Sequence, residues 1–426
     1  MEGTPAPAGK RLLVLGAGPA QLGLLAAARA RDLFVIALDR DPAAPGFRYA
    51  DRRAIISTED EPRIAQLAEA ERIDGVIAPG IDWPVAIAAR VAERQGLSHP
   101  VSGVVAGLAT SKLRQRERLG EAGVPQPRWQ IVTEPNEAAE VPSVVKAPDR
   151  QGQKGLSLVR EAGELRSALE NAIAESRSGV AIVEELVEGP EVTVNAFSVG
   201  GRFVPLTVTD RLTADPPAFG VALAHAWPSV AAGEEAARIA QSAAEALGIT
   251  DGPTYTQLRI GPDGPQVIEL AALLGGGHDA ELVKAALGVD LNGLALAAAL
   301  GEEPAPPAPE PQVGGAVVRF LVPPEGALSS VEGVEEALAQ EGVLDVRVYR
   351  EPGHVFGPFR RGADRAGAVL AVGENRDDAL AHADRAAALI RFQVSGAEAL
   401  TQEVSGLAPT DRPVITDGRA GKAPAS

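Results

Sequence analysis

The chain has 426 residues, enough for about three domains by a length prior of ~150 residues each, and its 45% hydrophobic and 23% charged residues are an ordinary globular balance. A formal charge of −17, from 40 basic and 57 acidic side chains, argues against nonspecific nucleic-acid binding and against anionic membrane surfaces. With no cysteine, disulfides, thiolate metal sites and a cysteine nucleophile are excluded. The five histidines (99, 225, 278, 354 and 382) show no zinc-like spacing. No apolar run reaches the ~18 residues of a membrane span, and the first residues lack the basic-then-apolar form of a signal peptide. The expectation is a cytoplasmic protein with no nucleic-acid or membrane partner.

Residues 11–18 form an apolar run ending in glycine, which predicts a buried parallel strand. An Ala/Leu-rich helix is expected at 20–31, strands at 33–39, 54–57 and 75–78, and a helix at 82–95. Strands alternating with helices indicate an open parallel sheet over residues 1–110, and 100–109 reads as a connection. Residues 111–301 are of mixed type. A charged helix at 111–122 is stopped by Gly123, Pro125 and Pro127. A hairpin follows at 143–159, then a helix at 161–176. Strands are expected at 180–187, 191–199, 202–210, 254–260 and 266–270, with a helix at 232–247. Two helices at 279–287 and 291–300 close the region. Residues 302–312 are a Pro-rich, semi-rigid spacer. A last folded region at 313–395 alternates strand and helix, and the tail at 396–426 is expected to be partly disordered.

The most informative segment is the hairpin. Lys146 stands in an apolar strand, and a lysine buried there is costly unless an anion pairs with it. The turn beyond it, with Gln151, Gly152, Lys154 and Gly155, can bring backbone N–H groups against phosphate oxygens. Together they suggest a strand–loop–strand lid for a nucleotide triphosphate, without the Walker spacing. Three further motifs each carry a plain alternative. Gly16-Ala17-Gly18-Pro19-Ala20-Gln21, with Asp39 ending the next strand, imitates a dinucleotide fingerprint, although Gln21 replaces its third glycine; it also reads as a tight turn with no cofactor. Glu184, Glu185, Val187 and Glu191 read either as a strand edge with a ribose-binding acid or as an acidic solvated turn. Glu269 ends an apolar strand, and Gly275 to Gly277 lead into a helix whose N–H groups suit an anionic substrate. His278, Asp279 and Glu281 are otherwise plain helix-start residues.

These elements, in this order, resemble the ATP-grasp superfamily over residues 10–393, and most closely the ATP-dependent L-amino acid ligases. The resemblance implies an α/β fold, α+β in its central part. Its regions are a pre-ATP-grasp parallel-sheet domain at 1–110, an ATP-grasp region at 111–301 and a C-terminal α/β lobe at 313–395. It implies ATP and Mg2+ as cofactors, a carboxylate and an amine as substrates, and a homodimer. By motif, Lys112 and Lys146 match the phosphate-binding lysines, and residues 149–155 match the mobile phosphate loop. Glu184, Glu185 and Val187 match the adenine-contacting strand and hinge, Glu191 the ribose-binding acid, and Glu269 a magnesium carboxylate.

Two positions depart from the pattern. Gln257 stands where a second magnesium carboxylate is usual, and Leu273 where an arginine usually touches phosphate. A cation lost at ~4 Å from a phosphate is worth ~4 kcal/mol at an effective dielectric near 20. Gln257 still offers an amide oxygen to magnesium. Leu273 is expected at the mouth of the phosphate site, so that Leu273→Arg raises turnover. Asp210, Arg211, His225 and the turn ending at His278 are pocket candidates, and Arg211, His225 and His278 are the catalytic ones. The expected reaction is ADP-forming carboxylate–amine ligation through an acyl phosphate. A degenerate ATP-grasp protein that binds nucleotide or a metabolite without turnover, and an NAD-dependent dehydrogenase, remain as rivals.

Overall fold

The computed structural model describes residues 9–395, so the expected tail at 396–426 lies outside the described residues. The first elements are β1 (Arg11–Leu15), α1 (Leu22–Ala30), β2 (Phe34–Asp39), β3 (Arg52–Ile55), α2 (Glu61–Glu71), β4 (Gly75–Ile77) and α3 (Asp82–Gln95). Their strands form a parallel sheet of order β3-β2-β1-β4. Leu12 to Leu15 are wholly buried, as a continuous apolar strand requires when both sheet faces are covered. At the first turn Gly16 has φ +109, and a Cβ there would lie 2.9 Å from the Gln21 side chain. Gln21 is 1% exposed and donates to the Pro79 carbonyl at 2.6 Å. The residue that breaks the fingerprint therefore fills the turn. Asp39 accepts the Ala17 N–H at 3.0 Å, so this acid holds the turn itself. Both contacts disfavour the dinucleotide reading.

Residues 103–109 are not a plain connection but a helix, α4 (Gly103–Ala109), because the Ser102 hydroxyl accepts the Val105 N–H at 3.3 Å and starts it. Ser111 likewise caps α5 (Lys112–Glu121). A second sheet holds β5 (Trp129–Val132), β6 (Ser143–Lys146), β7 (Ser157–Val159) and β8 (Ala181–Glu185), backed by α6 (Ala162–Glu175). Its order is β5-β8-β6-β7, with every pairing antiparallel. Val145, Val159, Leu169 and Val183 form its small core.

The remaining elements are β9 (Glu191–Val199), β10 (Arg202–Thr213), β11 (Ala222–Trp227), α7 (Gly233–Ala246), β12 (Gly252–Gly261), β13 (Gly264–Ala271), α8 (Asp279–Leu287) and α9 (Leu291–Ala299), then β14 (Gly315–Leu321), β15 (Gly326–Glu332), α10 (Val334–Leu338), β16 (Val343–Val348), β17 (Val355–Phe356), β18 (Gly367–Gly373), α11 (Arg376–Leu389) and β19 (Arg391–Ser395). One eight-stranded sheet runs β13-β12-β9-β10-β11-β14-β18-β16. It crosses the Pro-rich spacer: β11 pairs antiparallel with β14, from Ala224 against Arg319 to Trp227 against Ala316. The strands after the spacer thus extend the central sheet, while β17-β15-β19 form a separate three-stranded one. Among the described residues, no helix is long and apolar enough to cross a membrane.

Candidate active site

A cavity of about 620 Å³ opens where the first sheet, the small sheet and the large sheet meet. That volume suits a nucleotide-sized ligand. Its phosphate-loop end is built on ion pairs. Lys146, 8% exposed, points inward from β6 and meets Glu184 across the strands at 2.5 Å. Arg116 of α5 meets the other oxygen of Glu184 at 2.9 Å. Burial opposes the charge of Glu184, yet Arg116 and Lys146 lower its carboxyl to about 2. Burial also lowers the Lys146 ammonium, against the pull of Glu184. The hinge that follows is looser. Glu185 turns outward to Arg128 at 3.0 Å, and Val187 lines the cavity from a buried position.

Gln151, Gly152 and Lys154 of the turn line the cavity. Gly155 does not; with φ +66, a Cβ there would lie 2.8 Å from that of Ala147, so this glycine serves packing. The turn is tied to α5, since Lys112 donates to the Arg150 carbonyl at 3.0 Å.

The two expected metal ligands are directly paired residues on neighbouring strands, Gln257 of β12 and Glu269 of β13. Glu269 already faces Lys112 at 2.6 Å. Burial works against the Lys112 charge, but Glu269 and Asp82 hold its ammonium up. Among the described residues no three His, Cys, Asp or Glu side chains form a metal cluster. A carboxylate and an amide oxygen still fit Mg2+ when nucleotide phosphates complete its octahedron.

The expected ribose acid, Glu191, is doubly paired, with Arg211 at 2.5 Å and Arg259 at 3.4 Å. His225 of β11 is 2% exposed, lines the cavity, and has a buried Nδ1 without a hydrogen-bond partner. Burial, then the charges of Arg211 and Arg365, lower it well below the usual histidine range, so the ring is neutral at pH 7. Asp210, another pocket candidate, lies elsewhere: it bonds Ser229 at 2.6 Å and pairs with Arg376 at 2.6 Å.

Three sequence expectations need correction here. His278 is not among the cavity's lining residues. Its left-handed backbone (φ +59) accompanies an imidazole that bonds Tyr349, itself a lining residue, and, at 3.0 Å, Arg347, so His278 stands behind the cavity wall. Burial lowers that imidazole to about 4. The glycine turn does not leave all its N–H groups free either. Asp279 folds back to accept the Gly277 N–H at 3.0 Å, and the glycines serve close approach: a Cβ on Gly276 would lie 2.9 Å from the Gly80 carbonyl. Leu273 lines the cavity, yet it is 6% exposed and packs in the largest hydrophobic core. It is part of the wall, not an open mouth.

Asp82 and Arg365 are cavity residues that sequence reasoning missed. Asp82, the first residue of α3, has a carboxyl raised to about 7 by burial and then by the charge of Glu269, against Lys112. In sequence it looks like a helix-start acid and nothing more. Arg365 precedes β18 in a stretch with no motif, and only the pairing of β14 with β18 brings it to the cavity.

A family model described as "Phosphoribosylglycinamide synthetase, ATP-grasp (A) domain" matches residues 110–212, and one described as "L-amino acid ligase C-terminal domain 2" matches 319–395. The chain is an ATP-grasp protein. The ATP-grasp fold extends beyond the matched segments. An L-amino acid ligase from Bacillus licheniformis superposes with a TM-score of 0.77 at 21% identity, covering 91% of this chain and 99% of that chain. A formate-dependent phosphoribosylglycinamide formyltransferase from Burkholderia vietnamiensis is 29% identical over 419 residues, 91% of this chain and 97% of that protein. The uncharacterized protein y4rH of Sinorhizobium fredii (strain NBRC 101917 / NGR234) is 32% identical over 301 residues, 67% of this chain but only 61% of that protein. The architecture is that of the ATP-grasp fold.

Proposed function

We propose that this protein joins a carboxylate to an amine at the expense of ATP, with amino acids as substrates. One observation carries the reading: a single cavity gathers Lys112, Lys146, residues 150–154 of the turn and the Gln257–Glu269 pair from separate elements of the fold. In this reading the γ-phosphoryl group passes to a carboxylate oxygen, giving an acyl phosphate and ADP. The amine nitrogen then attacks the acyl carbon. The C–O bond to phosphate breaks, inorganic phosphate leaves, and the nitrogen sheds its proton. Such chemistry depends on positioning and charge stabilisation rather than a protein nucleophile, which suits a chain without cysteine.

ATP and Mg2+ are the cofactors of this architecture. Glu269 and Gln257 would hold the metal, which supplies positive charge beside the phosphates. Lys112 and Lys146 bind phosphate oxygens, the hinge at Glu184, Glu185 and Val187 takes the adenine, and Glu191 with its two arginines takes the ribose edge. Arg211 and the neutral His225 line the reacting end. Two of the named relatives are consistent with a carboxylate substrate, an amino acid in one and formate in the other. A homodimer acting in the cytoplasm belongs to the same reading.

A second reading is favoured by Gln257 and Leu273: nucleotide or metabolite binding without turnover. Measuring ADP release with a panel of amino-acid pairs, beside nucleotide binding, separates the two. ADP release that depends on both substrates supports the ligase. Nucleotide binding with no ADP release from any pair favours the second reading.

A further inference from the structure

The cations of the cavity differ in what they face. Lys112 faces Glu269, Lys146 faces Glu184, Arg211 and Arg259 face Glu191, and Arg361 lies 3.6 Å from Asp364. Arg40 and Lys154 also line the cavity but are exposed to solvent, and the half-buried Arg150 donates to the Glu175 carbonyl. Arg365 makes no ion pair among the described residues, although the charge of Asp279 is near enough to favour its own, and its buried Nε has no hydrogen-bond partner. Its guanidinium lies over the Phe320 ring, 3.7 Å from the centroid. The tip of that ring reaches the glycine turn, 3.3 Å from where a Cβ on Gly277 would sit. Arg365 therefore approaches the turn that follows Glu269 and Leu273 from the side of β14. Its backbone is pinned: the next residue, Ala366, donates to the Leu321 carbonyl at 2.8 Å and accepts the Tyr349 N–H at 2.8 Å. Burial, with the repulsion of Arg211, lowers its guanidinium to about 10, still protonated at neutral pH.

A pinned cation with no ion pair, on the wall of a ligand cavity, is a site for an anion. The buried lysines at the other end of the cavity, Lys112 and Lys146, are each matched by a protein carboxylate, so their charge on a ligand is partly cancelled. From this arrangement we infer that Arg365 binds the oxygens of the phosphoryl group in flight and of the acyl phosphate it forms. It supplies from the C-terminal region the positive charge that the apolar wall at Leu273 does not. The inference rests on the ligase reading.

The test uses ADP with Mg2+ and aluminium fluoride, a mimic of the transferred phosphoryl group that needs no knowledge of the substrates. Calorimetry on the unmodified protein, Arg365→Ala and Arg365→Lys gives ADP affinity with and without fluoroaluminate, and melting temperatures report folding. The expected result is that Arg365→Ala keeps ADP affinity within ~3-fold but loses at least ~10-fold of the tightening by fluoroaluminate, with Arg365→Lys retaining part of it. An undiminished tightening in Arg365→Ala overturns the inference. So does an unmodified protein that binds ADP but gains nothing from fluoroaluminate. If Arg365→Ala keeps the tightening and instead loses affinity for carboxylate substrates, Arg365 belongs to the substrate carboxylate and the inference fails. No ADP binding by the unmodified protein overturns the nucleotide reading beneath it, a distinguishable failure.

Discussion

The two ends of the cavity are built on opposite plans. At the phosphate-loop end, Glu184 is gripped by Lys146 and Arg116, and Glu269 by Lys112. These groups satisfy one another before any ligand arrives. At the glycine-turn end, His225 Nδ1, Arg211 Nε and Arg365 Nε are buried with no hydrogen bond, and the closest carboxylate to His225 Nδ1 is Asp279 at 3.4 Å. An unsatisfied buried polar atom costs about 1–3 kcal/mol, so that end is the one a ligand completes. The first end behaves as structure that also binds; the second is a site whose own groups leave room for a reactant.

The sharpest way to break this contrast is to remove Glu184. Glu184→Ala leaves two buried cations facing each other, and we expect a loss of about 3–5 kcal/mol of stability, read by denaturant unfolding. A loss below ~1 kcal/mol would mean that the triad is not structural. Lys146→Ala is gentler on the fold, because Glu184 keeps Arg116. It should lower ATP affinity by at least ~10-fold, a modest return for one charge on a phosphate, while the protein stays folded by circular dichroism. Unchanged ATP affinity would remove Lys146 from the site.

Leu273→Arg now carries a different expectation from the one its sequence position gave. The leucine is packed in the core, so the added arginine should lower stability by about 1–3 kcal/mol through overpacking and add no ADP release. A rise in turnover with an unchanged melting temperature would restore the open-mouth placement. Gln257→Glu should tighten Mg2+ by ~10-fold or less in a titration with ADP present. No gain would move the metal away from the β12–β13 pair.

The smallest effect concerns Asp82. Its folded carboxyl is raised to about 7 from 3.8. The folded state therefore holds this proton better than the unfolded chain does. The stability linked to it is present below pH ~3.8 and is lost as pH rises toward 7. Asp82→Asn should raise the melting temperature at pH 8, with the gain shrinking as pH falls toward 4. A gain independent of pH would disconnect Asp82 from the Glu269–Lys112 cluster.

Much of this was legible in sequence where local chemistry decides structure. The hairpin around Lys146, the 82–95 helix ending at Gly96 and the Glu191–Val199 strand follow from period, caps and turn residues. What was not legible depends on distant pairing. β11 is a nearly all-buried Ala/Leu/His run with no alternation, and it becomes a strand because β10 and β14 flank it. β5 is a short strand at the margin of its sheet, with two exposed residues. His278 and Leu273 occupy the sequence positions of site residues, but a left-handed turn takes the His278 side chain away from the cavity and a core contact makes Leu273 part of its wall. Arg365 carries no motif, and only the large sheet's continuation past the spacer brings it in.

The contact between Gly276 and Gly80 bears on how such a protein can be re-engineered. Gly80 donates its N–H to the Leu274 carbonyl at 3.0 Å, and a Cβ at Gly80 would lie 2.7 Å from that of Ala20. Three stretches distant in sequence therefore meet along a seam with no room for one methyl group. A chimera that exchanges the first ~110 residues with those of a relative must carry a matching glycine at both faces of that seam. Otherwise the two walls of the cavity are wedged apart and the change in specificity arrives mixed with a change in shape. Alanine at Gly276 is the cheapest advance check on whether a given pair of halves is compatible.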